Sequence, residues 1–238
     1  MYKNALIIAR KEMKTYLNTP ASFVVLFVFL IISSWFFASP LFLINQATLD
    51  TLFAIIPIVF VFFVPAITMN LISREKDNGT IETLTTFPLT DAEIVTGKFA
   101  SAVALMGIGL LFTFVHFFTI SILGQNVDYG AIWSGYIGLF LMGAAYCAIG
   151  IFASTLSNNQ IIAFIIALLL IFFLFILRYI LIFLPGSMGG FFQYISSDFH
   201  FSNMARGVID TRNLIYFGSI IAIFLKSAIV VMDSRKWS

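Results

Sequence analysis

Charge is scarce in this sequence. Only 10% of its 238 residues are Asp, Glu, Lys or Arg, against roughly a quarter in a soluble domain, so a water-soluble globule is excluded. Histidine occurs twice and cysteine once, at Cys147 inside an apolar run. One cysteine permits no internal disulfide and says nothing of redox compartment. A net charge of +2 is too small to suggest a nucleic-acid partner. The apolar runs hold almost no acids, so neither a Ser/His/Asp constellation nor a carboxylate pair can be assembled, and no catalytic residue is expected. There is also no G-x-x-x-x-G-K-[ST] phosphate loop. The nearest fragment, Thr96-Gly97-Lys98-Phe99, lacks the upstream glycine and the following Ser or Thr.

What the chain has in abundance is apolar length: 61% of residues are hydrophobic and 29 are Phe. About 20 apolar residues cross the hydrocarbon as a helix. Six runs qualify, at roughly 21–44, 51–72, 95–124, 131–153, 161–184 and 213–232. They lack period-2 alternation and lipid satisfies no open sheet edge, so the expected fold is all-α and polytopic. Pro57 and Pro65 fall inside the second run, where a kink is expected. The third run is longer than a crossing needs, so its ends must tilt or protrude. The first 20 residues are charged throughout and the first apolar run has the length of a span, so no cleavable signal peptide is expected.

The basic residues set the orientation. Lys3, Arg10, Lys11, Lys14, Arg74, Lys76, Lys98, Arg235 and Lys236 fall on one side of the six runs, with Lys226 able to snorkel there. Segments 45–50 and 125–130 on the other side have neither Lys nor Arg, and 185–212 has Arg206 and Arg212, with Arg178 near the outer end of span five. Both termini are therefore expected in the cytoplasm. Residues 1–20 read as an amphipathic interfacial helix ended by Pro20. Tyr2, Leu6, Ala9, Met13, Tyr16 and Leu17 form its stripe, and its basic residues lie at anionic headgroups.

The polar stretch REKDNGTIETLTTFP at 74–88 lies between spans two and three, on the cytoplasmic side. Asp77-Asn78-Gly79 reads as a turn or helix start. Thr80, Ile81, Glu82, Leu84 and Phe87 then form a short amphipathic segment before Pro88. Thr90 or Asp91 is placed to cap the next helix, with Glu93 near its positive end. Physics alone leaves two readings open here, a docking surface and a plain solvated loop.

The run Glu75-Lys76-Asp77-Asn78-Gly79-Thr80-Ile81-Glu82-Thr83-Leu84, then Pro88, resembles the E-K-x-x-G-T-x-E-x-L-x-x-x-P signature of permease subunits of type-2 ABC exporters. The similarity is greatest to the gliding-motility-associated group and its relatives in nitrous oxide reductase maturation. It extends to NTPASFVVLFVF at 18–29, VPAITMNLISREK at 64–76, IGIFASTLSNNQIIAF at 149–164 and HFSNMARGVIDTRNLIYF at 200–217, in the family's order. The resemblance implies a single permease domain over 1–238 in the bacterial inner membrane. It implies a partner ATPase dimer holding ATP and Mg, with no cofactor on this chain, and a second copy or related permease. It also makes 73–94 a coupling element that contacts the ATPase through Glu75, Asp77, Gly79, Thr80, Glu82, Leu84 and Pro88. Within it Gly79 would permit the tight turn, Thr80 would cap, Leu84 would pack into the ATPase groove and Pro88 would end the element. ATP-driven closure would push this element and the N-terminal helix, rocking spans one, two and five. In 185–212 the resemblance implies short helices that dip back into the membrane, with Phe201, Arg206 and Asp210 as outer gate or periplasmic-partner contacts. The alternative function is a non-transporting component through which the ATPase transmits force to an envelope partner. A secondary carrier or intramembrane enzyme ranks last, because carriers often place ionisable residues at the midplane.

Weaker candidates complete the reading. His116 lies alone in span three, and a hydrogen bond to a neighbouring helix is favoured over a functional role. His200, Met204 and Met188 are three scattered soft ligands, too few for an expected metal site. Asp198, Arg206, Asp210 and Arg212 are read as structural pairs rather than substrate contacts. The spaced small pairs Ala144/Ala148, Gly150/Ser154 and Ala163/Ala167 are read as close helix contacts.

Overall fold

The computed structural model describes residues 2–43, 48–81, 88–124, 127–180 and 186–234, with side chains described from residue 4 and not at 186–189 or 191. It is all-α; the described residues contain no strand. Six helices are long and apolar enough to cross a membrane, and the chain is a multi-pass membrane protein. An N-terminal helix, α1 (Tyr2–Asn18), leads into span one, α2 (Pro20–Leu43). Span two, α3 (Asp50–Thr68), is followed by a short helix, α4 (Ser73–Asp77). Spans three, four and five are α5 (Asp91–Leu123), α6 (Tyr129–Leu156) and α7 (Gln160–Ile180). Two short helices, α8 (Gly186–Ile195) and α9 (Ser197–Ala205), precede span six, α10 (Thr211–Ser234). The helices start and stop within a few residues of the six apolar runs. Span two ends earlier than its run, at Thr68, because the chain turns over 69–72 before α4.

Span four is the hub. In its central window 78% of residues are buried, against 22% in span one, 28% in span five and 17% in span six. Its glycines explain how neighbours approach so closely. A Cβ on Gly135 would lie 2.6 Å from the Phe53 ring, and one on Gly150 would lie 2.1 Å from Thr68 Oγ1. Span three has 33 residues, roughly 50 Å of helix against an apolar core of about 30 Å, so its first turns stand clear of the hydrocarbon. Thr90 starts it with a capping box. The Glu93 amide donates to Thr90 Oγ1 at 3.2 Å, and the Thr90 amide donates to Glu93 Oε2 at 2.9 Å.

α1 packs along these protruding turns. Its buried face matches the apolar stripe only in part. Leu6, Ile7 and Leu17 are exposed, whereas Ile8 and Tyr16 are buried and Ala5 and Glu12 are largely covered. Gly97 of span three makes this contact close, since a Cβ there would lie 2.7 Å from the Ala5 carbonyl oxygen. Leu6 and Leu17 remain free to face lipid.

The helix pair α8 and α9 forms at the opposite end. Ser134 Oγ donates to the Met204 carbonyl at 2.7 Å, Tyr146 Oη lies 2.7 Å from Ser197 Oγ, and Tyr216 Oη donates to the Ile195 carbonyl at 2.5 Å. All three tie the pair to spans four and six.

Replacing Gly150 by Val tests the hub. It forces a branched side chain into the Thr68 contact, and overpacking of this kind costs about 1–3 kcal/mol. The expected result is a lower melting temperature for the detergent-solubilised protein. An unchanged value would contradict the close approach of spans two and four.

Candidate functional site

The most concentrated polar chemistry lies at the α1 end of the bundle, around Lys98. This lysine follows Gly97 on the first turns of span three and is only 1% exposed. An ammonium taken out of water must be paired. Lys98 Nζ lies 3.0 Å from Glu12 Oε1 of α1 and 2.8 Å from Glu75 Oε1 of α4. Three segments far apart in sequence therefore meet at one nitrogen. The cluster has two carboxylates for one buried ammonium, and the second oxygen of Glu75, Oε2, is buried with no hydrogen-bond partner.

Two further contacts fix the same region. Tyr16 Oη of α1 donates to the Ile67 carbonyl at 2.6 Å, near the end of span two. Burial, with Cys147 and Glu12 adding to it, pushes the Tyr16 hydroxyl well above its ordinary pKa, so it stays a neutral donor. Ser154 of span four receives the Ile72 and Ser73 amides at 3.1 and 3.0 Å and donates to the Met69 carbonyl at 3.0 Å. One hydroxyl thus satisfies three backbone groups at the break between α3 and α4, its whole hydrogen-bonding capacity. Lys76 Nζ donates to the Thr155 carbonyl beside it.

On this base the chain turns outward. Asp77, Asn78, Gly79 and Thr80 are exposed. Gly79 sits at φ +65° with open space around its α-carbon, a left-handed conformation costing other residues about 1–2 kcal/mol. Helix resumes at Thr80 and Ile81. The Thr80 hydroxyl donates to the Glu75 carbonyl at 3.3 Å. Glu82 and Leu84, and any amide that Thr80 caps, lie outside the described residues. Pro88 is exposed at a bend. Of the residues expected to face a partner, Asp77, Gly79, Thr80 and Pro88 are at the surface, while Glu75 is turned inward to Lys98.

The outer candidates are dispersed. Phe201 is buried against span four, where it lies close to Gly138. Arg206 is exposed. Asp210 receives the Arg212 amide at 2.9 Å at the start of span six. Asp198 pairs with Arg178 Nη1 at 2.9 Å; burial raises its carboxyl above the usual range and Arg178 pulls it back. His200 has both ring nitrogens engaged, by Asn213 Oδ1 at 2.8 Å and the Tyr194 carbonyl at 3.0 Å. His200 thus ties α9 to α8 and span six. His116 Nε2 lies 3.2 Å from Ser34 Oγ of span one and stacks on Phe37, a helix-to-helix contact. Sequence reasoning missed Glu12, Lys98 and Ser154 as site residues. The available signals were the one acid in a basic helix and a lysine beside a glycine at the edge of a span.

A family model described as ABC-2 family transporter protein matches residues 36–191, more than half of the chain. No curated protein matches it. The matched span includes Glu75, Lys98 and Ser154 and leaves out α1 and span six.

The cluster's weight is measurable. Lys98→Met leaves two carboxylates buried together, and removing one member of a buried ionic group costs about 3–5 kcal/mol. Lys98→Met alone is expected to abolish the folded, monodisperse protein. Adding Glu12→Gln and Glu75→Gln is expected to restore much of it. Equal thermal stability of the single and triple variants would contradict the charge pairing.

Proposed function

Because the chain belongs to the ABC-2 transporter family, we propose that this permease component is the transmembrane half of an exporter. It sits in the bacterial cytoplasmic membrane with both termini inside. A separate ATPase dimer supplies ATP hydrolysis, and a second permease copy or a related chain completes the pathway. The observation that carries this reading is the Lys98 cluster beneath an exposed, glycine-turned segment. Glu75 and Lys76 anchor the base of 74–88 to spans three and four, and Asp77, Asn78 and Thr80 face outward from it. A plain loop has no need of a buried ion cluster and a saturated hydroxyl under it.

Force applied to the surface of 74–88 enters the membrane domain through two rigid routes. One passes from Glu75 through Lys98 to span three and, through Glu12, to α1, which continues into span one. The other passes from the break after span two through Ser154 to span four. Spans one, five and six bury the least of their surface, which leaves them faces for lipid and for the second permease. The permease contributes positioning and force transmission; bond breaking belongs to the nucleotide-bound partner.

The test is co-purification. The tagged chain, extracted gently from its native membrane, is expected to bring an ABC ATPase with it. The Gly79→Pro, Glu82→Arg variant is expected to lose that ATPase while remaining folded. Absence of an ATPase from both preparations would overturn the exporter reading.

A further inference from the structure

A cavity of about 330 Å³ with charged residues in its walls opens beside the Lys98 cluster, between α1, the start of span one, the end of span two and α4. Its walls carry opposite charges. Lys11 and Arg74 are exposed, while Glu12 and Glu75 are largely covered. Glu75 Oε1 is held by Lys98, and its Oε2 is buried without a partner, so one carboxylate oxygen at this cavity lacks a donor.

A second cavity, of about 500 Å³ and almost wholly apolar, lies between spans one, two and five. Val25 and Ala66 line both, so the two adjoin. The apolar groove runs along span one from Val24 to Ile32. At about 1.5 Å per residue that is roughly 12 Å, close to the depth of one leaflet of a hydrocarbon core about 30 Å thick. A charge-lined chamber at the level of the amphipathic helix, beside an apolar groove one leaflet deep, suits a single amphiphile.

We infer that this compound site binds a phospholipid of the cytoplasmic leaflet with a primary-amine headgroup, its acyl chain in the groove. The charges select the headgroup. A primary ammonium has three N–H donors to offer the Glu12 and Glu75 carboxylates in the cavity wall, while the adjoining phosphate meets Lys11 and Arg74. A glycerol headgroup brings no cation to Glu75. A choline headgroup brings a cation with no N–H to donate. That such a lipid is cargo rests on the permease reading above; its binding does not.

The probe is the purified chain alone, delipidated in detergent and titrated with phosphatidylethanolamine, phosphatidylglycerol and phosphatidylcholine of identical chains, read by native mass spectrometry. Wild type is expected to hold phosphatidylethanolamine about tenfold more tightly than the other two, the worth of one charge-assisted hydrogen bond. Glu75→Gln is expected to remove that preference. Ala66→Trp, which fills the junction without touching the ion cluster, is expected to weaken all three lipids. Soluble phosphoethanolamine is expected not to compete at lipid concentrations. Equal affinity for the three lipids in the wild type, or full competition by soluble phosphoethanolamine, would overturn the site. So would unchanged binding in a folded Ala66→Trp variant. Since no ATPase is present, failure of the exporter reading leaves this result untouched, and the reverse also holds.

Discussion

One buried ammonium organises the α1 end of this protein. Lys98 is almost wholly removed from water, and an ion so placed costs several kcal/mol unless partners meet it. Glu12 and Glu75 are those partners. To deliver Glu12, α1 must lie along the protruding turns of span three, and Gly97 lets its backbone come that close. To deliver Glu75, the chain must break after span two and restart as α4. That break exposes amides and carbonyls which Ser154 gathers up. The amphipathic helix, the interruption of span two and the small-residue face of span four thus answer one electrostatic requirement.

The same requirement explains why the bundle is unequal. Span four is covered on most sides, because it meets spans two, three, five and six as well as α9. Spans one, five and six keep wide apolar faces. A rigid hub with loosely covered flanks suits a transporter component, since interfaces that slide are better made by lipid-facing helices than by the core. At the far end, Arg178–Asp198 and the His200–Asn213 contact hold α9 in place. Polar chemistry is therefore concentrated at the two ends, with a nearly uncharged middle, as the scarcity of charge in the sequence requires.

Much of this architecture was readable from residue order. Span positions follow from run length, because a helix in lipid has few alternatives. Thr90 and Asp91 were both readable as caps, and the reciprocal bonds between Thr90 and Glu93 select Thr90. The pair of short helices in 185–212 entered through family resemblance, since a loop rich in Phe and Gly has no helical period of its own. The packing face of α1 was legible only in part. The periodic stripe includes Tyr16, which is buried, and Leu6 and Leu17, which face outward, while the buried side also carries Ala5, Ile8 and Glu12. A polar residue on a buried face is recognisable only when its partner is known, and Lys98 lies 86 positions away. Glu75 was misleading for the same reason. The signature around it suggested an outward role, while the buried lysine that turns it inward lies beyond the motif.

Held by Lys98, α1, α4 and the first turns of span three are expected to move as one body. The most direct measurement places spin labels at Lys14 and Asn78, both exposed, in the chain assembled with the ATPase proposed as its partner. Pulsed electron–electron resonance then gives their separation without nucleotide and with ATP trapped. The account predicts one narrow distance, the same in both states. A second distance appearing with ATP would contradict it, because the cluster would then be a joint and not a clamp.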